Sequence, residues 1–320
     1  MDTSPEGGRL LKRLPAIFIA LTVGIATGQA PPPRFQLREM DLHLHAGLER
    51  ETGLDEWLDL AAADGRRVVL LVDHLELYRM TEQQYRDWLL RHPSITARYP
   101  MGPAGRRALL EDFARAASRR RDLKVFTGWE VSEDELDTGI ELEALEMVDA
   151  VGFHISPRHG KAAPDGRHLI RRARQVKALQ ARLKRPMILF HPFTMRVEHL
   201  ERAALKAGRP VESLTAGQYR FFQPGEQAEL AQVLRGTPIY VEIALETGAC
   251  MARPACREAM IADVRPLAEL GIQFTVSTDA HTLQHARRPF RPETYCEPLG
   301  ISPTNANGLV AELLAQREGR

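Results

Sequence analysis

Short apolar segments alternate with longer amphipathic segments from about residue 40 to the end of the chain. Apolar runs of about four to six residues predict buried strands, whereas apolar positions three or four residues apart predict helices. Strands are predicted at residues 40–45, 67–72, 123–128, 150–154, 187–191, 239–243 and 272–277. Helices are predicted at residues 54–63, 106–121, 165–184, 225–234, 255–270 and 305–316.

This alternation is typical of βα units around a parallel sheet. Seven strands with intervening helices favour a closed barrel in a single α/β domain over an open, doubly wound sheet. The 320 residues, of which 44% are hydrophobic, are enough to form the core of one such domain. No GxGxxG segment follows a predicted strand and no GxxxxGK(S/T) segment occurs, so the sequence does not indicate dinucleotide or P-loop binding.

Two stretches interrupt the alternation, at residues 76–105 and 194–223. Both are predicted to be irregular, and both follow a strand that ends near a histidine. The loops after the strands form the substrate site of barrel enzymes, so these stretches are candidates for substrate contacts.

The first 30 residues differ in composition from the rest of the chain. Three basic residues precede an almost wholly apolar run at residues 14–26, and Gly28 and Ala30 are small enough for a signal peptidase. The run is shorter than the ~20 residues that span a bilayer. This layout predicts a secretory signal peptide over residues 1–30, with cleavage after Ala30.

Export would leave residues 31–39 as an extended leader that begins with three prolines, and residues 40–320 as the folded domain. The mature chain would then be periplasmic or extracellular and would contain no membrane span. Alternatively, Met40 initiates a cytoplasmic protein, because it stands at the start of the first predicted strand, directly before Asp41. Export is the favoured interpretation.

The cysteines and the net charge argue against a disulfide framework, a zinc ribbon and a nucleic-acid partner. Cys250, Cys256 and Cys296 are too few for a disulfide framework and lack the CxxC spacing of a zinc ribbon. Free thiols in a packed domain are expected, although Cys250 and Cys256 are near enough in sequence for one disulfide. A formal net charge of +1 disfavours a nucleic-acid partner.

Imidazole and carboxylate groups stand at the carboxyl ends of six of the seven predicted strands. They are His43, His45, Asp73, His74, Glu130, His154, His191, Asp279 and His281. One strand-end histidine is more often a hydrogen-bonded core residue than a ligand. Six of the chain's 11 histidines are expected at one barrel mouth, however. Their imidazoles could not satisfy one another's hydrogen-bonding groups without a metal or water. Imidazole and carboxylate without thiolate suit Zn, Mn or Fe.

These segments resemble, in the same order, the motifs of the PHP (polymerase and histidinol phosphatase) family. They are Asp41-Leu42-His43-Leu44-His45, Asp73-His74, Glu130, Gly152-Phe153-His154, Phe190-His191-Pro192 and Asp279-Ala280-His281. The resemblance extends over residues 41–281. It implies a distorted (β/α)7 barrel and a phosphoesterase site with two or three divalent metal ions.

The resemblance also implies which residues hold which ion. The first ion would be bound by His43, His45, Glu130 and Asp279. Glu130 would bridge to a second ion that is also bound by His154 and His191. A third ion would take His74, His281 and an acidic residue shortly after His45.

The acidic ligand of the third ion departs from the family pattern. Members of the family often have His or Asp at this position, whereas this chain offers Glu49 or Glu51. Glu51 suits the spacing better and is the predicted ligand.

The expected reaction is hydrolysis of a small phosphorylated molecule, with a phosphomonoester as the favoured substrate. Ions bridged by Glu130 and held by Asp279 would lower the pKa of a shared water to about 7, so that hydroxide attacks phosphorus in line. Arg158, in the loop after His154, is the preferred phosphate clamp, and Arg196 is a weaker candidate. No GxSxG segment indicates a serine nucleophile.

Two alternatives remain open. An amidohydrolase-type barrel also begins with HxH, but Glu130 would have to replace its usual bridging lysine, and His74 with the Asp279/His281 pair would be surplus ligands. A non-catalytic exported binding module would be expected to lack ligands. The sequence does not determine the oligomeric state.

Overall fold

Seven parallel strands form the centre of the molecule and neighbour one another in chain order. They are β1 (Met40–Leu44), β2 (Val68–His74), β3 (Lys124–Ser132), β4 (Ala150–His154), β5 (Met187–Phe190), β6 (Ile239–Ala244) and β7 (Phe274–Ser277). The computed structural model describes residues 34–47, 52–91, 99, 102–156 and 163–319. The predicted signal peptide and residues 31–33 of the leader lie outside these ranges.

The sheet curves until its last strand returns to its first. The Asp279 amide donates to the His43 carbonyl at 3.0 Å, and the His45 amide donates to the Ala280 carbonyl at 3.0 Å. Thr278 adds two hydrogen bonds to the buried Asp41 carboxylate. The fold is therefore a single-domain, nearly closed (β/α)7 barrel, as predicted.

Helices connect the strands and surround the barrel. They are α1 (Leu54–Ala63), α2 (Glu82–Arg91), α3 (Pro103–Arg119), α4 (Glu135–Thr138), α5 (Leu142–Glu146), α6 (Gly166–Leu183), α7 (Pro192–Lys206), α8 (Ala216–Tyr219), α9 (Glu226–Leu234), α10 (Glu246–Met251), α11 (Pro254–Glu269), α12 (Leu283–Ala286), α13 (Glu293–Cys296), α14 (Pro303–Ala306) and α15 (Gly308–Glu318). Short 3-10 turns cover Leu37–Glu39, Leu75–Arg79, Val211–Ser213 and Glu297–Leu299. Within the described part of the chain, no helix is both long and apolar enough to cross a bilayer.

The strands are apolar because helices cover the sheet on the outside while side chains fill the barrel. In β2, the five residues from Val68 to Val72 are all buried. A strand that is buried on both faces appears in the sequence as a continuous apolar run. For this reason the strands were predictable, and the observed strand ends differ from the predicted ones by a few residues only.

Three expectations about local structure are wrong. Residues 76–105 and 194–223 are not irregular throughout. The first stretch contains α2. In the second, α7 fills the first half and starts at Pro192, whose fixed φ suits a first helical turn. Leu37–Glu39 of the supposedly extended leader form a 3-10 turn. Cys250 and Cys256 are not free thiols, because the turn between α10 and α11 brings their Cα atoms to 5.5 Å and they form a disulfide. Cys296 is free and buried.

Candidate metal centre

The carboxyl ends of the strands bring the predicted ligands together at one mouth of the barrel. His43 lies on β1 and His45 directly follows the last residue of that strand, so the two-residue spacing of an extended chain places both on one face. Both imidazoles are fully buried. Glu130 comes from β3, which extends past its predicted end at residue 128 and so places the carboxylate within the strand.

Four ligand atoms form a first group, which we call group A: His43 Nε2, His45 Nε2, Glu130 Oε2 and Asp279 Oδ1. The two imidazole nitrogens are 2.9 Å apart. Glu130 Oε2 lies 3.4 and 3.1 Å from them, and Asp279 Oδ1 lies 3.5 and 3.4 Å from them. Ligands of a tetrahedral ion, bonded at about 2.0–2.1 Å, lie about 3.4 Å from one another. The spacing of group A therefore fits one ion.

The other oxygen of Glu130 belongs to a second group, group B. Glu130 Oε1 lies 2.9 Å from His154 Nδ1 and 3.2 Å from His191 Nε2. All three side chains can offer one ligand atom within 4.8 Å of the others. One carboxylate thus faces two sets of imidazoles, which is the arrangement of a bridging ligand.

His45, His74 and His281 form a third group, group C, whose ligand atoms also lie within 4.8 Å of one another. The Nε2 atoms of His74 and His281 are 3.5 Å apart. His281 Nδ1 lies 2.9 Å from the carbonyl of Asp279 and can donate to it, which would leave its Nε2 lone pair free for an ion. His74 Nδ1 lies 3.4 Å from both Glu76 Oε1 and Glu130 Oε2.

Two of these ligands have a strained backbone. His191 has a φ of 32° and Asp279 a φ of 51°, in the left-handed region that residues other than glycine rarely adopt. Among the described residues, only Lys184 shares this feature with them outside glycine. Such strain costs about 1–3 kcal/mol and is concentrated at functional sites. Here it occurs where β5 and β7 end.

Packing also fixes the His43 ring. The ring of Phe190 stacks on His43 with 3.7 Å between centroids. Phe190 can lie there because residue 152 on the neighbouring strand is glycine. A Cβ at Gly152 would stand 1.8 Å from the Phe190 ring, far inside contact distance. The glycine in the Gly152-Phe153-His154 segment therefore supports the position of His43 on another strand.

The donor set fits a metal by a second criterion. Glu130 Oε2 and Asp279 Oδ1 are buried and accept no hydrogen bond from the described residues. Buried carboxylate oxygens without donors are costly unless a cation satisfies them. Both oxygens lie within 3.5 Å of the Nε2 atoms of His43 and His45. A divalent ion in group A would satisfy both.

The same contacts perturb the ionisation of the ligands. Burial opposes charge on Glu130, but the surrounding imidazoles, His74 first among them, hold its pKa well below the usual value. Burial likewise opposes protonation of His43, yet the carboxylates of Glu242 and Asp279 raise its pKa well above the usual value. In His281, burial and the neighbouring His45 lower the pKa to about 3. The site thus favours ionised carboxylates and attracts positive charge.

Glu242 is a site residue that sequence reasoning missed. It lies within β6, is 1% exposed, and contacts His43. It precedes the end of its strand by two residues, whereas the predicted ligands stand at strand ends. A charged residue inside the apolar run Ile-Tyr-Val-Glu-Ile-Ala was the available signal.

Glu51 and Arg158 lie outside the described residues, as does Glu49. Arg196 is described, and it donates to the backbone carbonyls of Pro164, Gln218 and Tyr219. Its guanidinium therefore connects α7 to α8 and to the segment before α6.

Comparisons with known proteins find similarity in structure only. No family model matches the chain, and no curated protein matches it. A candidate histidinol phosphatase, hisK, from Listeria monocytogenes is 14% identical; the match covers 80% of this chain and 100% of that one, with a TM-score of 0.48.

Two further solved structures are less similar. The phospho-2-dehydro-3-deoxyheptonate aldolase of Thermotoga maritima is 13% identical, with 88% of this chain and 69% of that chain covered and a TM-score of 0.31. The DHPS of Yersinia pestis, solved with a pterine-sulfa conjugate, is 10% identical, with 77% and 89% covered and a TM-score of 0.28.

Proposed function

We propose that this protein is a metal-dependent phosphoesterase that hydrolyses a small phosphomonoester. The observation that carries the proposal is the position of Glu130, whose two carboxylate oxygens face the imidazoles of groups A and B. Two ions on either side of one carboxylate would lie a few Å apart, the separation that suits phosphoryl transfer.

The residues of the site divide into two roles. The group A and B side chains would hold two ions, and group C, with Glu51, would hold a third. Bound Zn, Mn or Fe ions would supply Lewis-acid polarisation of the phosphoryl group and an activated water as nucleophile. Glu130 and Asp279 keep their negative charge because the pKa of each is held low. Arg158 remains the proposed phosphate clamp.

Substrate access is consistent with this division. The side chain of His154 is 35% exposed and that of His281 is 27% exposed, whereas His43 and His45 are fully buried. An ester would therefore approach groups B and C from solvent, while group A forms the floor of the site. Access past these two histidines suits a small phosphate group.

An amidohydrolase-type reaction is the second candidate, and group C argues against it. Such enzymes use one or two ions, and the additional imidazoles of His74 and His281 would have no function in them. Counting bound ions distinguishes the candidates, because three ions favour phosphoester chemistry. One or two ions would leave both candidates in place.

Export of the mature domain, residues 40–320, is also part of the proposal. The Cys250–Cys256 disulfide supports it, because disulfides persist mainly in oxidising compartments. Mass spectrometry of the protein from its native cells tests it: a mature chain beginning at residue 31 is expected. A full-length chain in the cytoplasm would contradict export.

Activity is tested by reconstituting the chelator-treated protein with Zn, Mn or Fe and supplying p-nitrophenyl phosphate and a panel of small phosphate esters. Hydrolysis that depends on the ion and is lost in Glu130→Gln is expected. A protein that binds its ions but hydrolyses no phosphate ester, while cleaving amides or lactones, would refute the phosphoesterase assignment.

A further inference from the structure

Glu242 is a buried carboxylate to which the proposed reaction gives no task. It is surrounded by three hydrogen-bond donors from three other strand ends. Oε1 lies 2.8 Å from His43 Nδ1 and 2.6 Å from the Ser277 hydroxyl. Oε2 accepts the backbone N–H of His191 at 2.7 Å. These contacts connect β6 to β1, β7 and the end of β5.

We propose that Glu242 is a positioning residue that fixes the tautomer and orientation of His43 for metal binding. An ionised carboxylate only accepts hydrogen bonds, so the His43 nitrogen that faces it must carry the proton. With hydrogen on Nδ1, the lone pair of the neutral ring is on Nε2. That atom is the one directed toward His45, Glu130 and Asp279 in group A.

The contact with His191 extends this role to group B. The His191 backbone has φ 32° and ψ 40°, and its N–H points at Glu242 Oε2. This hydrogen bond holds the strained conformation that directs the His191 ring toward Glu130. One carboxylate thereby fixes a ligand in each of two neighbouring groups, and no part of it needs to touch an ion.

Glu242 could instead be a ligand itself, since it lies near His43 and His191 in a possible ligand set. The hydrogen bonds argue against this. Both oxygens already accept hydrogen bonds from strong donors. The donor to Oε2 is the backbone N–H of His191, which cannot itself bind a metal. An ion between Glu242 and His43 would have to displace the Nδ1 proton and would draw His43 away from group A.

The test rests on the metal site of the proposed function, but its main measurements do not depend on phosphoesterase activity. Glu242→Gln preserves the size of the side chain and replaces one acceptor with an NH2 donor, which then faces an N–H or O–H group. We expect metal affinity, measured by competition with a chromophoric chelator, to fall about 10- to 100-fold, the range for groups that orient ligands.

Glu246→Gln is the matched control. Glu246 stands four residues further along the chain and contacts His285 and Arg288, which are not proposed ligands. Its substitution should leave metal affinity within about twofold of wild type. Equal losses in both variants, or wild-type affinity in Glu242→Gln, would overturn the proposal.

The spectroscopic test compares wild-type and Glu242→Gln proteins loaded with Zn. Nitrogen-15 NMR of the wild type should show the His43 Nδ1–H, assigned by its loss in His43→Gln, as a proton that is hydrogen-bonded to a carboxylate and exchanges slowly with water. In Glu242→Gln the same proton should move upfield and exchange faster. An Nδ1–H signal that is identical in the two proteins, or a His43 that carries its proton on Nε2, would refute the inference, whereas failure to hydrolyse any ester would refute only the proposed function.

Discussion

The substitution Glu130→Gln should remove ions from two groups at once. The carboxylate is 1% exposed. Its Oε2 lies within 3.4 Å of nitrogens of His43, His45 and His74, and its Oε1 lies within hydrogen-bond distance of two further imidazoles. Glutamine has nearly the same shape but no charge, and its NH2 group cannot bind a metal.

The size of the effect follows from burial. Removing one partner of a buried charged pair costs about 3–5 kcal/mol, because the other partner is left uncompensated. At about 1.4 kcal/mol per tenfold change in affinity, this corresponds to a loss of roughly 100- to 3000-fold in metal affinity. Since Glu130 belongs to both groups A and B, the number of ions retained after dialysis should fall by two.

Plasma mass spectrometry of the dialysed proteins measures the ion count, and chelator competition measures the affinity. Glu133→Gln is a demanding control, because Glu133 is also 1% exposed and lies three residues further along. It is paired with His168 and Arg172 outside the ligand groups. The control should lower the melting temperature while keeping every ion. A Glu130→Gln protein that retains all its ions at wild-type affinity would refute the assignment of Glu130 as a bridge.

Four further outcomes are expected. His281→Ala should lower the ion count by one, measured by the same mass spectrometry, and an unchanged count would leave group C without a metal. Chelator treatment should lower the melting temperature in calorimetry, since free ion at about 100 times Kd stabilises a fold by about 2.7 kcal/mol per site. Burial opposes the charge of His74, but Glu130 and Glu76 raise its pKa to about 10, so an ion there must displace a proton. Affinity should then weaken as pH falls below about 10, with proton release seen by calorimetry in two buffers. Replacing Cys250 and Cys256 together by Ser should lower the free energy of unfolding by about 2 kcal/mol in denaturant titrations, given the loop closed by a separation of 6 residues.

The barrel was predictable because short segments of the sequence encode each strand and helix in turn. Apolar runs define the strands, and the carboxyl ends of parallel strands all face one way, so His154 and His191 could be placed together without coordinates. The residues that close the barrel follow the same rule. Asp279 was assigned to the mouth because it follows a strand, and its amide does bond to the first strand.

Glu242 and the disulfide were not predictable in this way. Glu242 contacts His43 across 199 positions of sequence, and which interior residue meets which depends on the register between strands and on the tilt of the barrel. The disulfide depends on a turn that brings Cys250 and Cys256 together. Spacing alone does not report that turn. Local pattern thus identified most of the side chains that meet at the barrel mouth, but not the buried Glu242 that contacts them.

The perturbed pKa values indicate how the site balances its own charge. When no ion is bound, protons on His43 and His74, whose pKa values are raised despite burial, compensate Glu130 and Asp279. Their contribution to stability is complete below the unfolded pKa of about 6.5 and is lost as pH rises through the raised values. The carboxylates, with lowered pKa values, contribute above about pH 4 and lose that contribution on acidification. His281 acts in the opposite sense, because burial and the neighbouring His45 lower its pKa to about 3, so that stability is lost as pH falls below the unfolded value of about 6.5. Together these groups place the greatest stability of the ion-free fold near pH ~6.5, and at higher pH a divalent ion would take over the role of the His43 and His74 protons.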